Sequence, residues 1–206
     1  MPPRPYSSPI RDAAAAEKRA RVVDAAGRLL REHENIASIS MEAVAKAASV
    51  TRLTVYKQFG SRRGLLEAVF DEAARQGGLG RIAGAIAMED PRAALGQLIE
   101  IFCEFWGSDA SRGRLHDAAA LDPEFAQTLA ERNERRRLVI GLVIDRLNAG
   151  SAGPASKPSD VVDILFGLTS FAMYRSLAAN RPQSAVCELL KAACAAILDA
   201  AAFKSG

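Results

Sequence analysis

Two histidines, His33 and His116, stand apart in this 206-residue chain with no partner pattern, and its three cysteines (Cys103, Cys187 and Cys194) have no paired metal or redox spacing. There is no His-Glu-x-x-His, no Gly-x-Ser-x-Gly and no paired-cysteine motif. No metal, cofactor or nucleophilic centre is therefore expected, and an enzyme reading survives only as a remote alternative. Gly77-Gly78-Leu79-Gly80 is no phosphate loop, because no strand precedes it and the glycine spacing is wrong. Long unbroken apolar runs are missing too. The longest apolar region, Val161 to Ala179, is interrupted by Asp163 and Arg175, and it reads as a buried helix and not as a membrane span. The N-terminus is Pro-rich and lacks an apolar core, so no secretory leader is expected, and a reduced cytoplasm is the simple inference from the cysteines. Strand-type alternation is hard to find, which points to an all-α chain. Its 49% hydrophobic residues suffice for a core without disulfides or metal.

What is present begins with charge. The net charge of +3 is too small to imply a nucleic-acid partner. Between Ala43 and Leu66, however, there are five basic residues (Lys46, Arg52, Lys57, Arg62 and Arg63) and no acidic one. That stretch overlaps Ser40 to Phe59, which reads as two short helices joined by a tight turn at Ala47-Ala48-Ser49. Ser40 is placed to cap the first helix, with Glu42 in its first turn, and Thr51 to cap the second. Val44 and Ala45 face inward, and Val55 and Phe59 share one face of the second helix. Its outward face carries Arg52, Thr54, Lys57 and Gln58, side chains that reach base edges and phosphates. An acid-free basic stretch on a helix-turn-helix suits a DNA backbone, although the same geometry also occurs in proteins that bind no DNA.

The run Ala48-Ser49-Val50-Thr51-Arg52-Leu53-Thr54-Val55-Tyr56-Lys57-Gln58-Phe59-Gly60-Ser61-Arg62 resembles the signature of the TetR family of bacterial transcriptional regulators, and the likeness extends from about Glu17 to Gln76. Two positions depart from the family pattern. Ser49 stands where Gly is usual, which costs about 1 kcal/mol if the backbone needs a positive φ there. The fourth helix opens Ser61-Arg62-Arg63-Gly64, where acids commonly follow the basic residue. Arg63 opposes the helix dipole, and Gly64 costs about 1 kcal/mol of helix propensity. Both changes favour a phosphate, so Arg62 and Arg63 are expected to clamp the DNA backbone. The resemblance also implies phosphate contacts for Tyr56 and Arg62.

Elsewhere, Met1 to Asp12 holds four prolines and is expected to be disordered; Arg4 and Arg11 either enter a minor groove or belong to a plain flexible tail. Val22, Ala26, Leu29 and Leu30 give the first helix, Ala13 to His33, a core stripe. Asn35 fits the left-handed position past its end, and Ile36 and Ile39 pack the approach to the motif. Glycines after Gln76 mark the domain boundary. The division is a flexible arm over 1–16, a DNA-binding domain over 17–77 with its motif at 40–59, and a ligand-binding and dimerisation domain over 78–206.

In the second part, Pro91 opens a helix to about Trp106, Ser111 to Ala120 forms a short one, and Pro123 opens a long one ending near Asn148. Arg132, Arg135, Arg136 and Arg137 on the long helix read as a solvated face, with an acidic-ligand or phosphate role as the alternative. Ser159 to Ala179 reads as one helix, apolar on nearly all sides, followed by Pro182 to Ala201. Such helices need partners on two sides, which predicts a homodimer through a four-helix bundle; the resemblance implies the same dimer. Cys187 and Cys194 read as packing residues there, with an inter-subunit disulfide as the lesser option. The family usually encloses a small-molecule pocket between these helices. Phe102, Trp106, His116, Phe125, Phe166 and Tyr174 are the candidate effector contacts, with Asn180 a further polar one, and the walls suggest an apolar or aromatic compound.

These readings converge on a dimeric regulator, most simply a repressor released from a palindromic duplex-DNA operator by a small molecule. Its DNA contacts are expected from Ser40, Thr51, Arg52, Thr54, Tyr56, Lys57, Gln58, Arg62 and Arg63. An activator or effector-independent DNA binder, and a helical interaction module or enzyme, are the alternatives.

Overall fold

The computed structural model describes residues 9–32, 39–109, 111–121, 123–150 and 157–201. Arg4, His33, Asn35 and Ile36 lie outside them. The described residues form eleven α-helices and one 3-10 turn, with no strand among them. In chain order the helices are α1 (Pro9–Glu32), α2 (Met41–Ala47), α3 (Arg52–Phe59), α4 (Arg62–Gln76), α5 (Ile82–Ile86), α6 (Pro91–Gly107), α7 (Ser111–Ala119), α8 (Pro123–Ala149), α9 (Pro158–Leu168), α10 (Phe171–Ala178) and α11 (Gln183–Ala200). The 3-10 turn is Leu79–Arg81. The first helix begins at Pro9, well before the expected end of a flexible arm at residue 16. Proline suits a first turn, where its fixed φ is helical and its missing N–H would have no partner.

The chain divides into two compact units, residues up to 72 with 114–126, and 73–113 with the remainder from 127. In the first unit, Val22, Ala26 and Leu30 of α1, Val44 and Ala45 of α2, Val55 and Phe59 of α3, and Leu65, Leu66 and Val69 of α4 are buried. Leu115, Ala118 and Phe125 are buried as well. Leu29 is only half-buried, at the edge of the α1 stripe.

In the second unit α6 contributes the most core: Leu95, Leu98, Ile99, Ile101, Phe102, Phe105 and Trp106 are all buried. Asp90 caps this helix, accepting from the Arg92 N–H at 2.8 Å, and Pro91 fills its first position. From α8, Ile140, Val143, Ile144 and Leu147 are buried, and Arg146 closes the end of α5 by donating to the carbonyls of Ile86, Met88 and Glu89. Lys191 of α11 pairs with Glu100 of α6.

The helix expected from Ser159 to Ala179 is two helices. It breaks at Thr169-Ser170, and α9 and α10 meet at a bend of 46°. Thr169 turns its hydroxyl back onto the Leu165 carbonyl at 2.9 Å, and Ser170 caps α10 through the Met173 N–H at 3.2 Å. Two hydroxyl residues in succession offer the backbone alternatives to the helical ladder, which is the physical cause of the break. No single described helix is long and apolar enough to cross a membrane; α9 and α10 meet that test only together, across their bend.

Ser49 is the one non-glycine residue with positive φ among the described residues, at 54°. Ser49→Gly is therefore expected to raise stability by about 1 kcal/mol. Gly64 is a steric requirement and not a weak spot: a Cβ there would collide with the Phe59 carbonyl oxygen. Gly64→Ala should cost about 2 kcal/mol, as overpacking against rigid backbone does. Urea unfolding of both variants checks the pair of opposite signs.

Candidate nucleic-acid interface and ligand-binding core

Three hydroxyls build the reading head. Ser40 accepts from the Ala43 N–H at 3.1 Å, Thr51 from the Thr54 N–H at 3.2 Å, and Ser61 from the Gly64 N–H at 3.1 Å. Each satisfies a donor that the start of a helix leaves open. The turn between α2 and α3 is closed by the Val50 N–H on the Ala45 carbonyl at 3.0 Å. Val55 and Phe59, four apart, are buried and fix which side of α3 faces out.

Helical geometry advances about 100° per residue, so the positions opposite Val55 and Phe59 are 53 and 57. Lys57 is exposed there, as expected. Leu53, 62% exposed beside it, is not among the contacts expected from the sequence. Its position on the wheel was the available signal. An exposed leucine at this point suits the methyl group of a thymine in the major groove. Arg52 is exposed and lies over the Tyr56 ring, 5.4 Å from its centroid, with the guanidinium 3.4 Å from the Tyr56 hydroxyl. That contact raises the Arg52 pKa above its ordinary value. The pair presents one cation and one hydroxyl side by side.

Six other expected contacts are partly committed elsewhere. Ser40 and Thr51 act as caps, and the Thr54 hydroxyl lies 2.8 Å from that of Thr51. Gln58 does not point straight outward: its amide nitrogen is 3.5 Å from the Ala15 carbonyl of α1, and it is half-buried. Arg62 is half-buried and donates through Nε to the Ile39 carbonyl at 3.2 Å, tying down the segment that enters α2. Arg63 is exposed and pairs with Glu67 at 3.1 Å, the first acid after the basic stretch. Arg19 of α1 was not anticipated. Its guanidinium stacks over Phe59, 4.4 Å from the ring centroid, and donates to the Gln58 carbonyl at 3.1 Å, which holds the last turn of α3.

The expected effector contacts divide between the units. Phe102, Trp106, Phe166 and Tyr174 belong to the second unit, whereas His116 and Phe125 fall in the first. Trp106 donates to the Thr169 carbonyl at 3.2 Å and meets the Phe171 ring at 5.4 Å, tilted by 57°. Tyr174 comes so close to α6 that a Cβ on Gly107 would strike its hydroxyl, and burial raises its pKa. Cys103 of α6 and Cys187 of α11 are buried free thiols. Burial raises both thiols and takes Cys194 up to about 12, so all three stay protonated and pack as small apolar groups.

The arginine run is not a uniform solvated face. Arg136 is buried, 7% exposed, and donates through Nη1 to the Phe166 carbonyl at 2.7 Å and to the Thr169 hydroxyl. Burial, with Arg137 as a like-charged neighbour, lowers its pKa to about 10. The Phe166 ring lies against two guanidinium groups, Arg136 at 4.1 Å and Arg137 at 4.3 Å. Arg137 is neutralised by Glu134 at 3.2 Å and by Asp163.

Residues 22–69 match the family model described as bacterial regulatory proteins, tetR family. No curated protein matches the chain in sequence. Among solved structures, a TetR transcription regulator from Haloarcula marismortui is 16% identical, with a TM-score of 0.68 over 90% of this chain and 98% of that one. NalD of Pseudomonas aeruginosa, the secondary repressor of the MexAB-OprM multidrug efflux pump, is 18% identical, with a TM-score of 0.63 over 91% and 96%. The multidrug binding protein EbrR, solved with imidazole, is 22% identical, with a TM-score of 0.65 over 96% and 97%. At these identities the likeness is one of fold.

Lys57→Ala is expected to weaken binding to all duplexes by a similar factor and to reduce the slope of log affinity against log salt by about 1, whereas Leu53→Ala should change the preferred sequence with little change in slope. Fluorescence anisotropy across a salt series on two unrelated duplexes separates the two effects.

Proposed function

We propose that this chain, whose DNA-binding domain belongs to the TetR family of bacterial regulatory proteins, is a dimeric transcriptional repressor released from a palindromic operator by a small molecule. The observation that carries the reading is the outward face of α3. Arg52, Leu53, Tyr56 and Lys57 are all exposed on a capped helix whose opposite side is buried. Such a helix fits the major groove, with charged groups for phosphates and guanine and an apolar group for thymine. Arg63 adds a cation at the adjoining helix start, and Arg62 supports the segment before α2.

The dimer brings two reading heads to half-sites about 34–36 Å apart, or somewhat more. Its support is the apolar surface of the last helices. Ile164 of α9 is 47% exposed and Leu189 of α11 is 43% exposed, and a second copy would cover them. The seam therefore runs through α9 and α11 with the α9–α10 break beside it, not through one continuous helix. The effector acts in the second unit, around Phe102, Trp106, Phe166 and Tyr174. Release follows if the effector prefers a conformation in which the two heads no longer match the operator; a tenfold loss of affinity needs about 1.4 kcal/mol of preference.

The test of function is anisotropy of the purified protein on the DNA upstream of its own gene and on a scrambled duplex of the same composition. Tighter binding to the upstream duplex, two chains per duplex, and a steep loss with salt are expected. Equal affinity for both duplexes at every salt concentration counts against a regulator of that site. For the assembly, sedimentation should give a dimer, and Ile164→Lys with Leu189→Lys a folded monomer; a wild-type monomer contradicts the seam.

A further inference from the structure

We infer that the effector is a carboxylic acid with an apolar or aromatic body, its carboxylate held by the Nε edge of the Arg136 guanidinium beside Phe102 and Phe166. This rests on the reading of the second unit as an effector domain and names the chemistry of what enters it. A buried guanidinium normally has a carboxylate partner, because removing an unpaired charge from water is costly. Arg136 has none: no acidic side chain stands within ion-pair distance of it among the described residues. The charged groups that act on it among the described residues are Arg137, which repels it, and Glu134, which is already paired with Arg137. Asp163 also pairs with Arg137.

Both hydrogen bonds of Arg136 run through Nη1, to the Phe166 carbonyl and the Thr169 hydroxyl. Nε is buried with no hydrogen-bond partner. One side of the fork is thus anchored at the end of α9 while the Nε side carries a buried donor with no hydrogen-bond partner, and that side is the one a carboxylate engages in a bidentate pair. The Phe102 ring centroid lies 5.9 Å from the guanidinium and that of Phe166 4.1 Å, which gives apolar surface next to the charge. A neutral or cationic ligand would leave the buried charge uncompensated. Because both partners of Arg136 lie in the last turn of α9 and its C-cap, pairing it with a ligand also couples occupancy to the end of α9.

Trp106, the single tryptophan of the chain, reports on this place, since its indole donates to the Thr169 carbonyl at 3.2 Å. The full chain, free of DNA, is titrated with benzoate, phenylacetate and 4-phenylbutyrate and with their three amides, by calorimetry and by Trp106 emission. At least one acid should give saturable binding with an emission change, its amide should bind at least tenfold more weakly, and Arg136→Gln should weaken the acid at least tenfold. Three results each overturn the inference: no acid saturates, acid and amide bind alike, or Arg136→Gln binds the acid as wild type does. The acid–amide comparison is made on the wild-type protein and stands even if the variant does not fold. An acid that binds through Arg136 but leaves operator affinity unchanged overturns its role as effector while leaving the DNA-binding reading intact.

Discussion

An eight-residue helix does not hold its shape in water alone, because nucleation costs more than so few hydrogen bonds return. Helix α3 exists because Val55 and Phe59 are buried against the rest of the first unit, and that burial also decides which side chains face out. The surrounding contacts serve the same end. Thr51 caps the helix start, Arg19 grips its last turn through the Phe59 ring and the Gln58 carbonyl, and Arg62 holds the chain entering α2. Ser49 holds a left-handed backbone in the turn between α2 and α3. A reading head must be rigid to discriminate between bases, and here rigidity comes from core packing with a few directional bonds around it.

The second unit follows a different logic. Its core helix α6 is apolar and well filled, yet the neighbouring helices bring a buried cation and a bend into it. The bend and the cation are one feature: Arg136 bonds to Phe166 and Thr169 at the point where α9 gives way to α10. A polar group in such a place is costly unless something compensates it. The carbonyl at the end of α9 and the Phe166 ring supply part of that compensation.

The first unit was largely legible in the sequence. Its helices are short, its caps are Ser and Thr at the expected places, and its apolar spacing is regular, so Ser40, Thr51, Val44, Val55 and Phe59 stand where the pattern put them. The glycine-marked end of α4 at Gln76 and the Pro91 start of α6 were equally readable. What escaped were matters of tertiary facing. Nothing local distinguishes Arg136 from Arg135, since both sit in one charged run and only the packing of α8 buries one of them. Gln58 looked outward until α1 was placed beside it. Leu53 was not among the expected contacts, although the helical wheel puts it opposite Val55. The break at Thr169-Ser170 carries no proline; its local signals were Gly167, two residues before it, and two successive hydroxyl side chains.

The central claim is that the outward face of α3 reads bases. The most direct measurement is selection of preferred duplexes from a randomised pool by the wild-type protein and by Arg52→Ala. The wild type should enrich an inverted repeat with a defined spacing, and the variant should enrich the same spacing with degenerate bases at one symmetric pair of positions. Identical motifs from the two proteins, or no enriched motif from the wild type, would contradict the account.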